Sequence, residues 1–419
     1  MSTVRNVFDQ YSQPENKLTH AFYCVLNQDR HLIRRFLEWI GVHNIPPTEQ
    51  LHVTQQSVPG LPVEESDGND GLPDLCIYTD DGWGVFFEMK AQSKLTVSQI
   101  KRHSTTVKRF GFEHPILVAV TVDPLPQSFT GLCLSLQWRE LYGWLAATKK
   151  PTFWTEELVR YFEIFEERAI DNQYEIRGTI TMFNGLRFDD KRPYHYREAK
   201  RLLRLLGDEL QSRHDLSSEV GIDPDGSRRT AITNDGFGAY VWDFIPLKIA
   251  SGHDFIRFPH LTMSFRPQDC IAAVTIPNGI SGGFRSRLKA AGLDGFIELM
   301  VSIQSRLSPV LRSSKGSRAI VYATQRHYKS QRSTPQIDGR LEADLRTCIR
   351  DNKSPVKYQP EWIESIYNVL IRKRSNIQCG VEARFPYACP IVQSPEAVDL
   401  FAETWKAVEP LISFALADT

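Results

Sequence analysis

Hydrophobic positions recur with period two across residues 72–90. Leu75 and Ile77 alternate with Asp74, Cys76 and Tyr78, and Val85, Phe87 and Met89 alternate with Phe86, Glu88 and Lys90. Such alternation predicts two β-strands. Asp80-Asp81-Gly82 between them predicts the tight turn of a hairpin. Side chains along a strand point to opposite faces in turn, so Glu88 and Lys90 share a face. In simple register the Asp74 end of the first strand lies across from the Glu88–Lys90 end of the second. Two carboxylates and an ammonium then converge at one edge of a sheet.

The pattern changes period on either side of this hairpin. Upstream, Leu18, Phe22, Val25 and Leu26 recur at helical spacing, and Leu32, Ile33, Phe36, Leu37 and Ile40 continue it after a break at Asn27-Gln28-Asp29. Ser12 is the expected N-cap of the first helix, with Pro14 in its first turn and Glu15 at the capping-box position. Glu15 lies three residues before Leu18 and seven before Phe22, which puts it on the buried side. Leu51 to Val58 reads as a strand. Residues 59–71 read as a loop whose Glu64, Glu65, Asp67 and Asp70 are solvated.

Downstream, a helix is expected from Thr96 to Phe110. Ile100, Val107 and Phe110 mark its core side, and Gln99, His103 and Thr106 form a neighbouring stripe. Lys101, Arg102, Lys108 and Arg109 make it basic. Pro115 to Asp123 is a near-continuous apolar run, as in a strand covered on both faces. Cys133 to Gln137 is a further strand, Trp138 to Trp144 a strand-to-helix transition, and Thr155 to Glu167 an amphipathic helix. The order is helix, strand, strand, strand, helix, strand, in a domain expected to span residues 1–172.

Residues 173–419 predict a larger α+β domain. A helix over Tyr194–Ser212 carries a basic stripe of Arg197, Lys200, Arg201 and Arg204, and residues 219–238 read as a loop or hairpin. Residues 239–276 are β-prone. Helices follow at 284–306 and 361–373, with a strand, Ala319–Ala323, between them and a last helix from Pro395 to Ala415. Residues 299–337 hold seven Arg or Lys and no acidic residue, with Tyr322, His327 and Tyr328 interleaved. Arg312, Lys315, Arg318, Arg326 and Lys329 are therefore candidate phosphate contacts, with Lys101 and Arg102.

Composition narrows the classes. The 419 residues carry a formal net charge of zero, so a nucleic-acid partner has to be met by local patches. No apolar run is long enough to predict a membrane span, and the first residues lack a signal-peptide apolar region. Seven scattered cysteines without a Cys-x-x-Cys pair argue against a disulfide framework and a structural zinc site, and point to a reducing cytoplasm. No glycine pattern forms a phosphate-binding loop or a dinucleotide fingerprint.

The hairpin's residue types suit phosphodiester cleavage. Carboxylate oxygens hold Mg²⁺, which lowers the pKa of a bound water and neutralises charge on the scissile phosphate. A nearby lysine orients that water or stabilises the transition state. Pro73-Asp74 followed by Glu88-x-Lys90 resembles the PD-(D/E)xK, or restriction-endonuclease-like, nuclease superfamily, and the element order is similar to its αβββαβ core. The resemblance covers about 160 residues.

It implies a Mg²⁺-dependent (endo)deoxyribonuclease, with Mn²⁺ able to substitute. Asp74, Glu88 and the Met89 carbonyl are the implied ligands, completed or supported by Glu15, and Lys90 positions the water. Gln99 orients Lys90 or a phosphate. His103 is not expected to act as a base, because the metal supplies the nucleophile. The C-terminal domain is expected to serve target recognition, sensing or oligomerisation. Expected partners are nucleic acid (DNA before RNA), and a second copy of the chain or a partner protein of an antiviral defence system. The competing readings are a catalytically silent binding or assembly module with a nuclease fold, and an RNA-cleaving nuclease.

Overall fold

The computed structural model describes residues 6–8, 14–56, 72–170, 178–228, 240–248, 257–278, 280, 283–329, 336–351, 354–372 and 376–416, without the side chains of Pro14 and Glu15. The Ser12 cap and the acidic loop at 59–71 therefore lie outside the described residues. The chain divides into two compact units, Met1–Met182 and Phe183–Thr419, against the 172/173 boundary expected from the sequence. All seven cysteines are free. Among the described residues no helix is long and apolar enough to cross a membrane.

The first unit runs α1 (Pro14–Gln28), α2 (Arg30–Trp39), β1 (His52–Gln55), β2 (Leu75–Tyr78), β3 (Gly84–Met89), α3 (Val97–Arg109), β4 (Ile116–Thr121), β5 (Leu134–Gln137), α4 (Trp138–Ala146) and α5 (Phe153–Ile170). The expected break between α1 and α2 falls at Asp29, whose carboxylate accepts the Leu32 N–H as an N-cap. The sheet is mixed, in the order β1-β2-β3-β4-β5. The first three strands are antiparallel, and β4 and β5 run parallel to β3. A parallel neighbour requires a crossover, and α3 supplies it between β3 and β4.

Period-two alternation sorts the hairpin onto two faces. Leu75, Ile77, Val85, Phe87 and Met89 pack with Leu18, Phe22, Phe36, Leu141 and Phe162 of α1, α2, α4 and α5. Phe36 meets Phe87 with ring centroids 5.7 Å apart and Phe22 at 4.9 Å. Cys76 and Phe86 face the other way, against Ile100 and Val107 of α3 and against Phe112. Thus α1 and α3 cover opposite faces, and Asp74, Glu88 and Lys90, in step with Cys76 and Phe86, belong to the α3 face. The turn closes with Gly82 at φ 89°, a conformation glycine adopts without strain.

The second unit contains α6 (Tyr196–Gln211), α7 (His214–Glu219), β6 (Val241–Pro246), β7 (His260–Phe265), β8 (Asp269–Ile276), α8 (Phe284–Ser313), β9 (Arg318–His327), β10 (Gln336–Asp344), α9 (Glu361–Ile371), β11 (Ile377–Pro386) and α10 (Ala397–Leu416). Among the described residues its six strands form one antiparallel sheet in the order β10-β9-β11-β8-β7-β6. The sequence reading lacked α7, β10 and β11 and ended α8 too early; α8 continues to Ser313 across an interruption at Gly292, φ 71°.

The expected basic features are rearranged. On α6, Arg201 is fully buried and paired with Glu198 at 2.6 Å, so it leaves the solvent-facing stripe. Arg312 ends α8, Lys315 sits in the following turn and Arg318 starts β9, whereas Arg326 and Lys329 lie at the far end of that strand. At ~3.3 Å per residue, Arg318 and Arg326 are roughly 26 Å apart. The five cations form two separate groups rather than one patch, because β9 is twice as long as the sequence suggests.

Phe87→Ala, which empties a fully buried ring site under α2, is expected to destabilise the first unit by about 3–5 kcal/mol. Urea unfolding checks this, and an unchanged midpoint contradicts the packing described.

Candidate active site

Asp74 stands immediately before β2 and is fixed by its backbone on both sides. Its N–H donates to the Phe87 carbonyl at 2.9 Å, and its carbonyl accepts the Gln56 N–H at 3.1 Å. Its side chain then crosses to the end of β3, where Oδ2 accepts the Met89 N–H at 2.8 Å. The register predicted from the alternation, with Asp74 opposite the Glu88–Lys90 end, is therefore the observed one.

Two bonds hold the end of β3. The Lys90 N–H donates to the Val120 carbonyl of β4 at 2.8 Å, and the Trp138 Nε1–H, from the first residue of α4, donates to the Lys90 carbonyl at 3.1 Å. Residues of a strand address alternate neighbours. The Met89 N–H and the Phe87 carbonyl face β2, so the Met89 carbonyl is directed to the Asp74 side as well.

Glu88 is buried between two nitrogen groups. Its side chain is 6% exposed, with Lys90 Nζ 3.0 Å from Oε1 and His103 Nε2 2.9 Å from Oε2. The imidazole lies at ion-pair distance without the alignment of a good hydrogen bond. Burial alone would push the Glu88 carboxyl up, but His103 and Lys90 outweigh it and hold the group below the usual range. Asp74 behaves oppositely. Burial, reinforced by the Glu88 charge, raises it to about 6 against the opposing pull of the Met89 N–H, Lys90 and His103. Two neighbouring carboxyls are thus driven apart, one firmly ionised and one poised close to neutrality, a pattern enriched at functional sites.

A hard dication fits this donor set. Asp74 carries charge that Glu88 opposes, and both present oxygen, the atom Mg²⁺ prefers. Among the described residues there is no group of three or more His, Cys, Asp and Glu able to hold a metal ion. An ion here would rest on the two carboxylates and on further oxygens such as the Met89 carbonyl.

The other expected site residues fall as follows. Gln99 is half-buried, and its Oε1 accepts the Thr96 N–H at 2.9 Å while its own N–H donates to Thr96 Oγ1, a capping box that starts α3. Its amide is thereby directed to Thr96. One turn on, His103 is the residue of that stripe which meets Glu88. Sequence reasoning put Gln99 and His103 on one stripe and gave the role to Gln99; the capping chemistry of Thr96-x-x-Gln99 was the signal available to separate them. Lys101 and Arg102 are exposed on α3, beside His103. Glu15 lies in the first turn of α1, and its side chain is outside the described residues. The first turn of α1 is nevertheless at the right end of the sheet. His20 Nδ1 is 2.8 Å from Gln55 Oε1, next to Asp74, whereas Arg30, past the helix's other end, donates to the Thr48 carbonyl at 2.7 Å.

Raising the folded-state pKa of Asp74 means that ionising it costs stability. The cost is absent where both states are protonated, below about pH 4, grows as pH rises, and is complete above about 6. Asp74→Asn is expected to stabilise the metal-free protein at pH 8 by on the order of 1–3 kcal/mol, with the gain vanishing near pH 4. Melting temperatures across that range check this, and a variant less stable than wild type at pH 8 refutes it.

Compared with known proteins, the chain matches no family model, no curated protein and no solved structure, so what it does has to be argued from this geometry.

Proposed function

We propose that the first unit is a metal-dependent nuclease of restriction-endonuclease-like architecture that hydrolyses phosphodiester bonds, with DNA as the expected substrate. The observation that carries the reading is the convergence of Asp74, Glu88 and Lys90 at one end of the mixed sheet, with the Asp74 carboxyl pushed up to about 6 by burial and by the neighbouring charge. The antiparallel β1-β2-β3, the α3 crossover and the parallel β4 support the same reading.

Asp74 and Glu88 would hold Mg²⁺ or Mn²⁺, which when bound supplies Lewis-acid neutralisation of the phosphate charge. Lys90 serves the chemistry in two ways. Its backbone is clamped between Val120 and Trp138, so its ammonium swings from a fixed base. The ammonium can stabilise the charge that builds on the phosphoryl oxygens, or orient the water that attacks phosphorus. Water adds, the bond to one flanking sugar oxygen breaks, and a phosphate monoester and a free hydroxyl result. Lys101 and Arg102 lie exposed beside the site and suit phosphates flanking the cleaved one.

Plasmid, linear and single-stranded DNA and RNA, each with Mg²⁺ or Mn²⁺, form the direct test. Asp74→Ala and Lys90→Ala are each expected to lower cleavage about 10²–10³-fold, and cleavage surviving both changes overturns the assignment. Binding without cleavage by wild type favours the silent module instead.

Lys101→Ala and Arg102→Ala are each expected to reduce the slope of log affinity against log salt by about one, uniformly across sequences. An unchanged slope removes α3 from the nucleic-acid surface.

A further inference from the structure

We propose that His103 is a positioning residue that fixes one oxygen of Glu88, while Lys90 holds the other only until a divalent cation replaces it. The inference rests on the nuclease reading and assigns the two nitrogen partners of Glu88 different fates.

The two contacts are almost equal in length, 3.0 Å from Lys90 and 2.9 Å from His103, but unequal in freedom. His103 hangs from the middle of α3 on a short side chain, 6% exposed, between Ile100 and Val107, which anchor the helix to the sheet. The capping box at Thr96 and Gln99 fixes where that helix begins. Withdrawing the imidazole would require moving α3. Lys90 carries its charge on a flexible four-carbon stem, and its side chain is 15% exposed. It can leave Glu88 Oε1 by rotating its own torsions.

The difference has a chemical consequence. Glu88 Oε2 stays beside an imidazole 2.9 Å away that α3 holds in place, so Oε1 is the oxygen offered to a cation, with Asp74 as the second carboxylate. The ammonium displaced from Oε1 is then available for the phosphate. In the metal-free protein Lys90 keeps this site from holding two uncompensated carboxylates.

The test is calorimetric binding of Mn²⁺ to the full chain in the absence of nucleic acid, with thermal melting as a check on folding. His103→Leu fills the space without offering a donor and is expected to weaken Mn²⁺ binding about 10–100-fold, the usual effect of losing a group that orients a ligand. His103→Gln, whose amide nitrogen reaches about as far as Nε2, is expected to recover most of the affinity. Lys90→Ala is expected to leave it equal or tighter. Binding by H103L as tight as wild type, no recovery in H103Q, or weakened binding in K90A each overturns the proposal. A wild type that binds no Mn²⁺ overturns the metal-dependent reading itself, and this inference with it.

Discussion

A carboxylate has to be kept ionised inside the central strand of an apolar sheet, and the rest of the site follows from that requirement. All six residues of β3 are buried, and Glu88 is the only one of them that carries charge. An isolated charge in such a place costs several kcal/mol, so partners must come from whatever the chain brings within reach. Alternation brings Lys90, two residues on and on the same face. The crossover helix brings His103 from above. Between them they hold Glu88 as the anion, and the conflict left over appears at Asp74, whose carboxyl rises toward neutrality through its own burial and the neighbouring Glu88 charge. Apolar residues of similar shape would fill this corner with less conflict. Keeping two repelling carboxyls and a half-buried lysine together is the kind of local cost that function, rather than stability, explains.

The backbone makes the arrangement rigid where it needs to be. Asp74 is bonded through its N–H and its side chain to Phe87 and Met89 of β3 and through its carbonyl to Gln56, just past β1, and the main chain of Lys90 is bonded at both ends to β4 and α4. These bonds come from the neighbours that the strand order 1-2-3-4-5 supplies. The mixed sheet thus does two jobs at its β3 end. The antiparallel side carries Asp74 to Glu88, and the parallel side leaves room for a crossover whose inner face supplies His103. An all-antiparallel sheet would close β3 to β4 with a short turn and place no helix there.

Much of this was legible in the amino-acid sequence because it depends on period alone. The hairpin register follows from Leu75, Ile77, Val85, Phe87 and Met89 sharing a face, and a shift by one residue would bury Asp74's face against the wrong helices. The break at Asp29 and the buried run at 116–121 were equally plain. The division of labour between Gln99 and His103 was not. They sit four residues apart on one stripe, so periodicity cannot separate them; the capping bond from the Thr96 N–H to Gln99 does. In the second unit, β11 alternates cleanly through Ile377, Cys379, Val381, Ala383 and Phe385, yet Glu382 and Arg384 on its other face make it read as solvated. That face is buried because Arg384 bonds both Glu382 and Glu342 at 2.6 Å and Arg340 reaches Glu382 at 3.2 Å, pairings across three strands that no single segment reveals. The basic stretch at 312–329 misled for a related reason: a linear cluster of cations was laid out along a ten-residue strand, which separates what the sequence places together.

Helix α1 bears on how a third carboxylate could join the site. Leu18 and Phe22 bind α1 to the face carrying Phe87, whereas Asp74, Glu88 and Lys90 are on the face carrying Phe86. A group in the middle of α1 is separated from Glu88 by the sheet itself. Only at the end of β2 and β3, where the strands stop, can a side chain from one face reach chemistry on the other. The contact of His20 with Gln55, and of Arg30 with Thr48 at the opposite end of β1, directs the first turn of α1 to that open end. The first turn of α1 lies toward that open end, and one turn later Leu18 already belongs to Phe87's core.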